Sequence, residues 1–244
     1  RISVDSEYIT NDIMLGKDTK KGNDGMLLFG TNACGKSTLM KAVGLNVIMA
    51  QAGFYVPCKS FQLKPYTKIF TRILNNDNIF RSQSSFAVEM MELRSIFQLS
   101  DENSLILGDE LCSGTETLSA ISIVSKSIDI LSTKKSSYII TSHLHQLTDI
   151  PFIKDIPNLD IYHLKITYDN GILTYNRKLC VGSGPPIYGL KVCEAMGLAD
   201  DFINGANDIL KSLTEQSNDI LKTKQSQYNK GVFMDECKVC KGPA

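Results

Sequence analysis

The 244-residue chain has no surplus of charge: Lys+Arg and Asp+Glu are 26 each, a formal net charge of +0. A domain that grips nucleic acid unaided usually carries a basic excess, so this composition argues against a freestanding nucleic-acid binder. It also lacks a long hydrophobic run. The longest, near Ala42–Ala50, is broken by Gly44 and Asn46, well short of the roughly 20 apolar residues that span a bilayer. No signal peptide opens the chain, which begins at Arg1 rather than Met and so reads as a fragment. The seven cysteines are odd in number and show no disulfide-framework spacing, which points to a reducing, intracellular compartment. With 17 Gly and 7 Pro the chain is neither collagenous nor wholly disordered, and its 43% hydrophobic content supports a real core. There is no internal repeat. The length suits one large domain or one and a half small ones.

What is present has an α/β cadence. Apolar runs at Met26–Phe29, Leu105–Leu107 and Tyr138–Ile140 are each followed by a Gly- or Ser-rich loop and a helical pattern, the order of a mostly parallel sheet flanked by helices. A fourth run, Ile161–Leu179, contains Tyr168-Asp169-Asn170-Gly171, whose Asn-Gly supplies the positive φ of a tight hairpin, so this portion is antiparallel. Helices are expected at Ser37–Ala50, Ser85–Gln98, Thr115–Leu131, Leu190–Ala195 and Ala199–Leu213. The character changes at Gly182-Ser183-Gly184-Pro185-Pro186. This divides the chain into a catalytic-type domain over 1–180, a helical tail over 181–214 and a remainder over 215–244. Thr214–Lys230 is polar and reads as a solvated helix or linker.

The most specific motif is Gly30-Thr31-Asn32-Ala33-Cys34-Gly35-Lys36-Ser37-Thr38, which fits G-x-x-x-x-G-K-[ST] directly after the first strand. Phosphates require a cradle of backbone N–H groups, and glycines at both ends let the loop curl around them. The helix that follows points its positive dipole end at the same anion. Lys36 neutralises β- and γ-phosphates and the Ser37 hydroxyl ligates Mg²⁺ in such a loop. The pattern therefore predicts binding of a nucleoside triphosphate.

Ser104-Leu105-Ile106-Leu107-Gly108-Asp109-Glu110 is an apolar strand ending in two carboxylates, a Walker B pattern. Asp109 is expected to hold Mg²⁺ through its water shell, and Glu110 to orient or deprotonate the attacking water. Thr141-Ser142-His143 follows the next strand, which places His143 where it can sense a γ-phosphate by hydrogen bonding. His145 and His163 carry no such expectation, and no His/Cys metal cluster joins them.

With these motifs placed, the chain resembles the C-terminal ATPase domain of the MutS family of DNA mismatch-repair proteins, over roughly residues 5–214. The resemblance rests on Gly30–Thr38, on Met49–Pro57 and Ile69-Phe70-Thr71-Arg72, and on Ser84-Ser85-Phe86-Ala87-Val88-Glu89-Met90. Asp109-Glu110 with Gly114-Thr115, Thr141-Ser142-His143 and Tyr188-Gly189-Leu190 complete it. It implies an ABC-type P-loop ATPase that dimerises with a second MutS-like subunit around two composite ATP sites, with the helical tail clasping the partner. Ser84 and Ser85 match the segment whose serine reaches the γ-phosphate held by the opposite subunit. Tyr8 matches an aromatic that stacks on adenine and Ile9 a backbone contact to the base edge, although on the residues alone Tyr8 reads as a core or edge-strand position. Mismatched double-stranded DNA would be met through upstream domains, with no membrane involved.

The chain departs from the family at Cys34 and Cys112, where glycine is usual, at Thr31, where proline is usual, and at Ile187, where serine is usual. The thiol of Cys34 reads either as redox-sensitive or as quietly packed. Near the end, Cys237-Lys238-Val239-Cys240 supplies half of a tetrahedral zinc site. It resembles the start of an HNH-type nuclease appended in one branch of the family, of viral or organellar (mitochondrial) origin, with the remaining ligands beyond the chain end; the other reading is incidental cysteines. Two alternatives stand beside the mismatch-repair ATPase. One is another ABC-type ATPase, of a transporter or of DNA repair, but the Leu-Ser-Gly-Gly-Gln-like segment such proteins carry before Walker B is missing. The other is a nucleotide-gated scaffold with little hydrolysis, which the altered turn at Cys112-Ser113 favours and Glu110 opposes.

Overall fold

The computed structural model describes residues 8–16, 22–73, 85–169, 172–185 and 189–220. The chain divides after Tyr188 into two compact units. The first is a mixed α/β layer structure around a six-stranded sheet. Its elements are β1 (Gly25–Phe29), α1 (Lys36–Gln51), β2 (Lys68–Arg72), α2 (Ser85–Leu99), β3 (Ser104–Gly108) and α3 (Thr117–Thr133). Then come β4 (Ser137–Ser142), a 3-10 turn (His145–Asp149), α4 (Pro151–Lys154), β5 (Leu159–Asp169) and β6 (Ile172–Val181). The strand order is β2-β3-β4-β1-β5-β6. All neighbours are parallel except β5 and β6, which form the expected antiparallel pair. Asn170 and Gly171, where the sequence predicts the turn, lie outside the described residues.

The central strands are buried on both faces, which is why they read as continuous apolar runs. Alternation sorts their side chains between two cores. Leu27, Phe29, Ile106, Tyr138 and Ile140 face α2 and α3. Met26, Leu105, Leu107 and Ile139 face α1 through Met40 and Val47. A third cluster joins Leu28 and Cys34 to Leu164 and Ile166 of the antiparallel pair.

Three differences from the sequence reading have local causes. Strand β2 has only two adjacent apolar residues, Ile69 and Phe70, and lies half-exposed at the sheet edge, so pairing with β3 rather than hydrophobic alternation defines it. Helix α3 begins at Thr117 instead of Thr115 because Glu116 is the extended N-cap residue, its carboxylate accepting from the Thr115 and Ser119 hydroxyls. The stretch His145–Lys154 adds a 3-10 turn and a short helix that no periodicity announces.

In the second unit, α5 (Gly189–Ala195) packs on α6 (Asp200–Ile220). Helix α6 continues past Leu213 into the polar stretch, as the helical alternative for Thr214–Lys230 requires. Cys237 and Cys240 lie outside the described residues, and among the described residues no group of three or more His, Cys, Asp or Glu side chains is placed to hold a metal.

Candidate functional site

The parallel register brings the C-terminal ends of β1, β3 and β4 to one edge of the sheet. Phe29 pairs with Ser142, and Gly108 with Ile140, so the residues just beyond those strands meet there. This is where open α/β sheets bind ligands.

The loop from Gly30 to Gly35 leaves β1 and enters α1. Three of its residues, Gly30, Ala33 and Gly35, have φ of 151, 67 and 108, the left-handed range that lets consecutive N–H groups turn inward. Lys36 is buried, yet its Nζ donates to the carbonyls of Gly30 at 2.7 Å and Thr31 at 3.1 Å. The same ammonium lies 3.1 Å from Glu110 Oε1. The cation thus draws together the loop backbone and the strand-end carboxylate. A buried charge is stable only with such partners. Thr31 Oγ1 is a buried hydroxyl without a hydrogen-bond partner.

The metal-type donors also meet. Ser37 Oγ donates to Asp109 Oδ1 at 2.8 Å, and Thr141 Oγ1 donates to the same oxygen at 2.7 Å. The Thr141 hydroxyl in turn accepts the Glu110 N–H at 3.0 Å. Two hard oxygen donors, a hydroxyl and a carboxylate, suit Mg²⁺, which characteristically takes one or two protein ligands and fills the rest with phosphate and water. Thr141 was not singled out from sequence as a functional side chain. It bridges the metal-type carboxylate and the Glu110 backbone, and its only sequence cue is its place just before Ser142-His143.

Glu110 itself has φ 47 and Cys112 φ 62. Neither is glycine, so surrounding contacts must hold this turn in a conformation that L-residues rarely adopt. A glycine at position 112 would take that φ without strain. His143 is exposed immediately beyond β4, on the same sheet edge. His145 is not a solvent-facing loop residue. Its ring stacks on Phe29 with centroids 5.2 Å apart. Burial, and then the charges of His143, His163 and Lys36, hold its pKa below the ordinary imidazole value.

Of the remaining predicted residues, some belong to the same loop and helix start and others stand apart. Tyr8 is 79% exposed, a bare ring rather than a core residue. Its segment is fastened to β6 by Asn11, whose amide donates to Arg177 O at 3.0 Å and whose Oδ1 accepts the Leu179 N–H at 2.8 Å. Ile9 follows, partly exposed. Asn32 and Thr38 lie in the loop and the first turn of α1. Ser84 is outside the described residues, and Ser85 is the first residue of α2.

A sequence profile described as MutS domain V matches residues 26–214. The chain belongs to the MutS family. Among its relatives, a DNA mismatch repair protein mutS homolog of Acanthamoeba polyphaga mimivirus is 44% identical over 98% of this chain and 22% of its own length. A mitochondrial DNA mismatch repair protein mutS homolog of Sarcophyton glaucum is 40% identical over 100% of this chain and 24% of its own length. The DNA mismatch repair protein MutS of Finegoldia magna is 35% identical over 88% of this chain and 25% of its own length. The chain therefore spans about a quarter of the length of these relatives. Among the described residues, no helix is long and apolar enough to cross a membrane.

In this MutS-family chain the cysteines of the site, Cys34 and Cys112, are buried. Cys34 is fully buried, and a Cβ on Gly30 would fall 2.5 Å from its sulfur. Burial raises its pKa against the opposing pull of Lys36. Cys112 is pushed up to about 12 by burial and by the charge of Glu89. Since the thiolate is the reactive form, both should be alkylated at least roughly tenfold more slowly than exposed Cys58 in the folded protein. Peptide mapping after timed iodoacetamide treatment checks this; equal labelling of Cys34 and Cys58 would restore the redox-sensitive reading.

Proposed function

We propose that this chain is the ATP-binding and hydrolysing module of a MutS-like mismatch-repair protein. One observation carries the reading: Lys36 and Ser37 at the start of α1 and Asp109 and Glu110 just beyond β3 converge in a single hydrogen-bonded and ion-paired cluster. The Gly30–Gly35 backbone and Lys36 would bind the phosphates of ATP. Tyr8 would stack on adenine, with the Ile9 backbone at the base edge. Ser37 and Asp109 would hold Mg²⁺, which when bound supplies positive charge to the phosphate oxygens.

Phosphate oxygens compete with Glu110 for the Lys36 ammonium, and a carboxylate released from that pair is free to act as a base. Glu110 then accepts a proton from water as the water oxygen bonds to the γ-phosphorus and the bond to the β–γ bridging oxygen breaks, yielding ADP and phosphate. His143, exposed on the same edge, would hydrogen-bond the γ-phosphate. A dimer with a second MutS-like subunit would bring Ser84 and Ser85 of one subunit to the nucleotide of the other. ATP binding and turnover would then be coupled to clamping of mismatched double-stranded DNA by other parts of the longer protein, in an intracellular setting. Such coupling is reciprocal, so DNA would also alter ATP affinity. Family membership favours this over an ABC transporter. Any zinc at Cys237 and Cys240, and a nuclease beginning there, belongs to this proposal and not to the described structure.

Lys36→Ala tests the binding half. Loss of charge-assisted contacts, each worth about 1.5–3 kcal/mol, should weaken MgATP binding roughly tenfold to a hundredfold. Titration calorimetry on the intact protein reads the result, and an unchanged Kd sinks the assignment of the loop.

A further inference from the structure

We propose that Glu89 is a positioning residue for the hydrolytic carboxylate, anchoring the turn that carries Glu110 to helix α2. This inference rests on the ATPase reading above and adds a residue and a path of coupling to it.

Glu89 is a buried acid one turn into α2. Its Oε1 accepts the backbone N–H of Cys112 at 2.9 Å, inside the core. Cys112 is itself fully buried with φ 62, and Glu110, two residues earlier, has φ 47. A turn holding two left-handed residues, neither of them glycine, persists only where its surroundings over-determine it. Within the turn the backbone ties are long, Ser113 N–H to the Glu110 carbonyl at 3.3 Å and Thr115 N–H to the Cys112 carbonyl at 3.4 Å. Further restraints come from outside it: Lys36 pairs with the Glu110 carboxylate, Thr141 holds the Glu110 N–H from β4, and Glu89 holds the Cys112 N–H from α2. Without Glu89, that buried N–H would have to be satisfied by rearranging the turn.

The same Oε1 of Glu89 is also approached by Arg72, at the end of β2. Its Nε is 3.9 Å from Glu89 Oε1 and 2.9 Å from Glu92 Oε2, a charge contact outside hydrogen-bond alignment. The Arg72 carbonyl accepts the Asp109 N–H at 2.7 Å. The Arg72 side chain, helix α2 and the turn at Cys112 therefore meet at one buried carboxylate, while the β2 backbone holds Asp109 separately. Helix α2 begins at Ser85, the segment proposed to meet the partner's nucleotide, so displacement of α2 would be felt at Glu110 through Glu89. One site's occupancy would in this way set the hydrolytic geometry of the other.

Two substitutions in the intact protein separate positioning from mere packing. Glu89→Met keeps the volume and removes the acceptor; Glu89→Gln keeps an oxygen for the Cys112 N–H. Glu89→Met is expected to lower kcat for ATP about tenfold or more with KM within about twofold, the mark of an interaction made in the transition state. Amide exchange across Asp109–Thr115 should rise in the same variant. Glu89→Gln should recover most of the rate and of the protection. Unchanged exchange in Glu89→Met overturns the anchor whether or not ATP is turned over, as does a loss in Glu89→Gln as deep as in Glu89→Met. Equal hydrolysis by wild type and Glu110→Gln strikes instead at the ATPase reading, and the exchange measurement still decides the anchor.

Discussion

Glu110→Gln should reduce ATP turnover by about a hundredfold to ten-thousandfold, the usual contribution of a positioned general base, while leaving MgATP affinity within about threefold. The substitution is nearly isosteric. It leaves the backbone contact from Thr141 and the left-handed φ of 47 untouched, since both belong to the main chain. It removes the ability to accept a proton and weakens the pairing with Lys36, whose other partners, the Gly30 and Thr31 carbonyls, remain. Affinity should therefore survive while chemistry fails. Steady-state phosphate release and nucleotide titration, run side by side, make the comparison. If turnover is the same with Gln in place, Glu110 is no base and the gated-scaffold alternative takes over.

The largest effect on folding is expected from Gly25→Ala. Gly25 opens β1, and its backbone lies directly under the Tyr138 ring of the neighbouring strand. A Cβ there would sit 2.0 Å from one ring carbon and 2.3 Å from another. Nothing about Tyr138 is free to yield. The ring is fully buried, and its hydroxyl is 2.6 Å from Ser132 Oγ on α3. Overpacking of this kind should cost about 3 kcal/mol, and lower Tm by roughly 6–12 °C for a domain of this size. Pairing Gly25→Ala with Tyr138→Leu, which shrinks the obstacle, should recover part of the loss beyond additivity. Denaturant unfolding of the set decides it; a loss below about 1 kcal/mol for the single change would mean the sheet adjusts freely.

The Lys36 and Glu89 experiments probe different links of the same assembly. Lys36 joins the loop to the strand-end acid within one short contact, whereas Glu89 acts on that acid only through the backbone of Cys112. A binding defect without a rate defect, and the reverse, should thus separate the two.

How much of this was legible beforehand depends on how far apart in sequence the cooperating groups lie. The apolar runs at β1, β3 and β4 and the glycine-lysine-serine loop are local patterns, readable because strand burial and loop curvature depend on neighbouring residues. The antiparallel β5–β6 pair is equally local, announced by the Asn170-Gly171 sequence between two β-rich runs. Edge strand β2 was missed because Lys68–Arg72 has no alternation to show and owes its shape to a partner some distance along the chain.

At the site, residue types and spacing were enough to name Lys36, Ser37, Asp109 and Glu110 and to place the chain near its family. Only the folded sheet decided that Thr141 would hold Asp109 and the Glu110 N–H together, that Glu89 would hold Cys112, and that Tyr8 would stand exposed. The physical reason is that these contacts depend on strand register and helix docking, which bring distant positions within 3 Å of each other and which no window of sequence records.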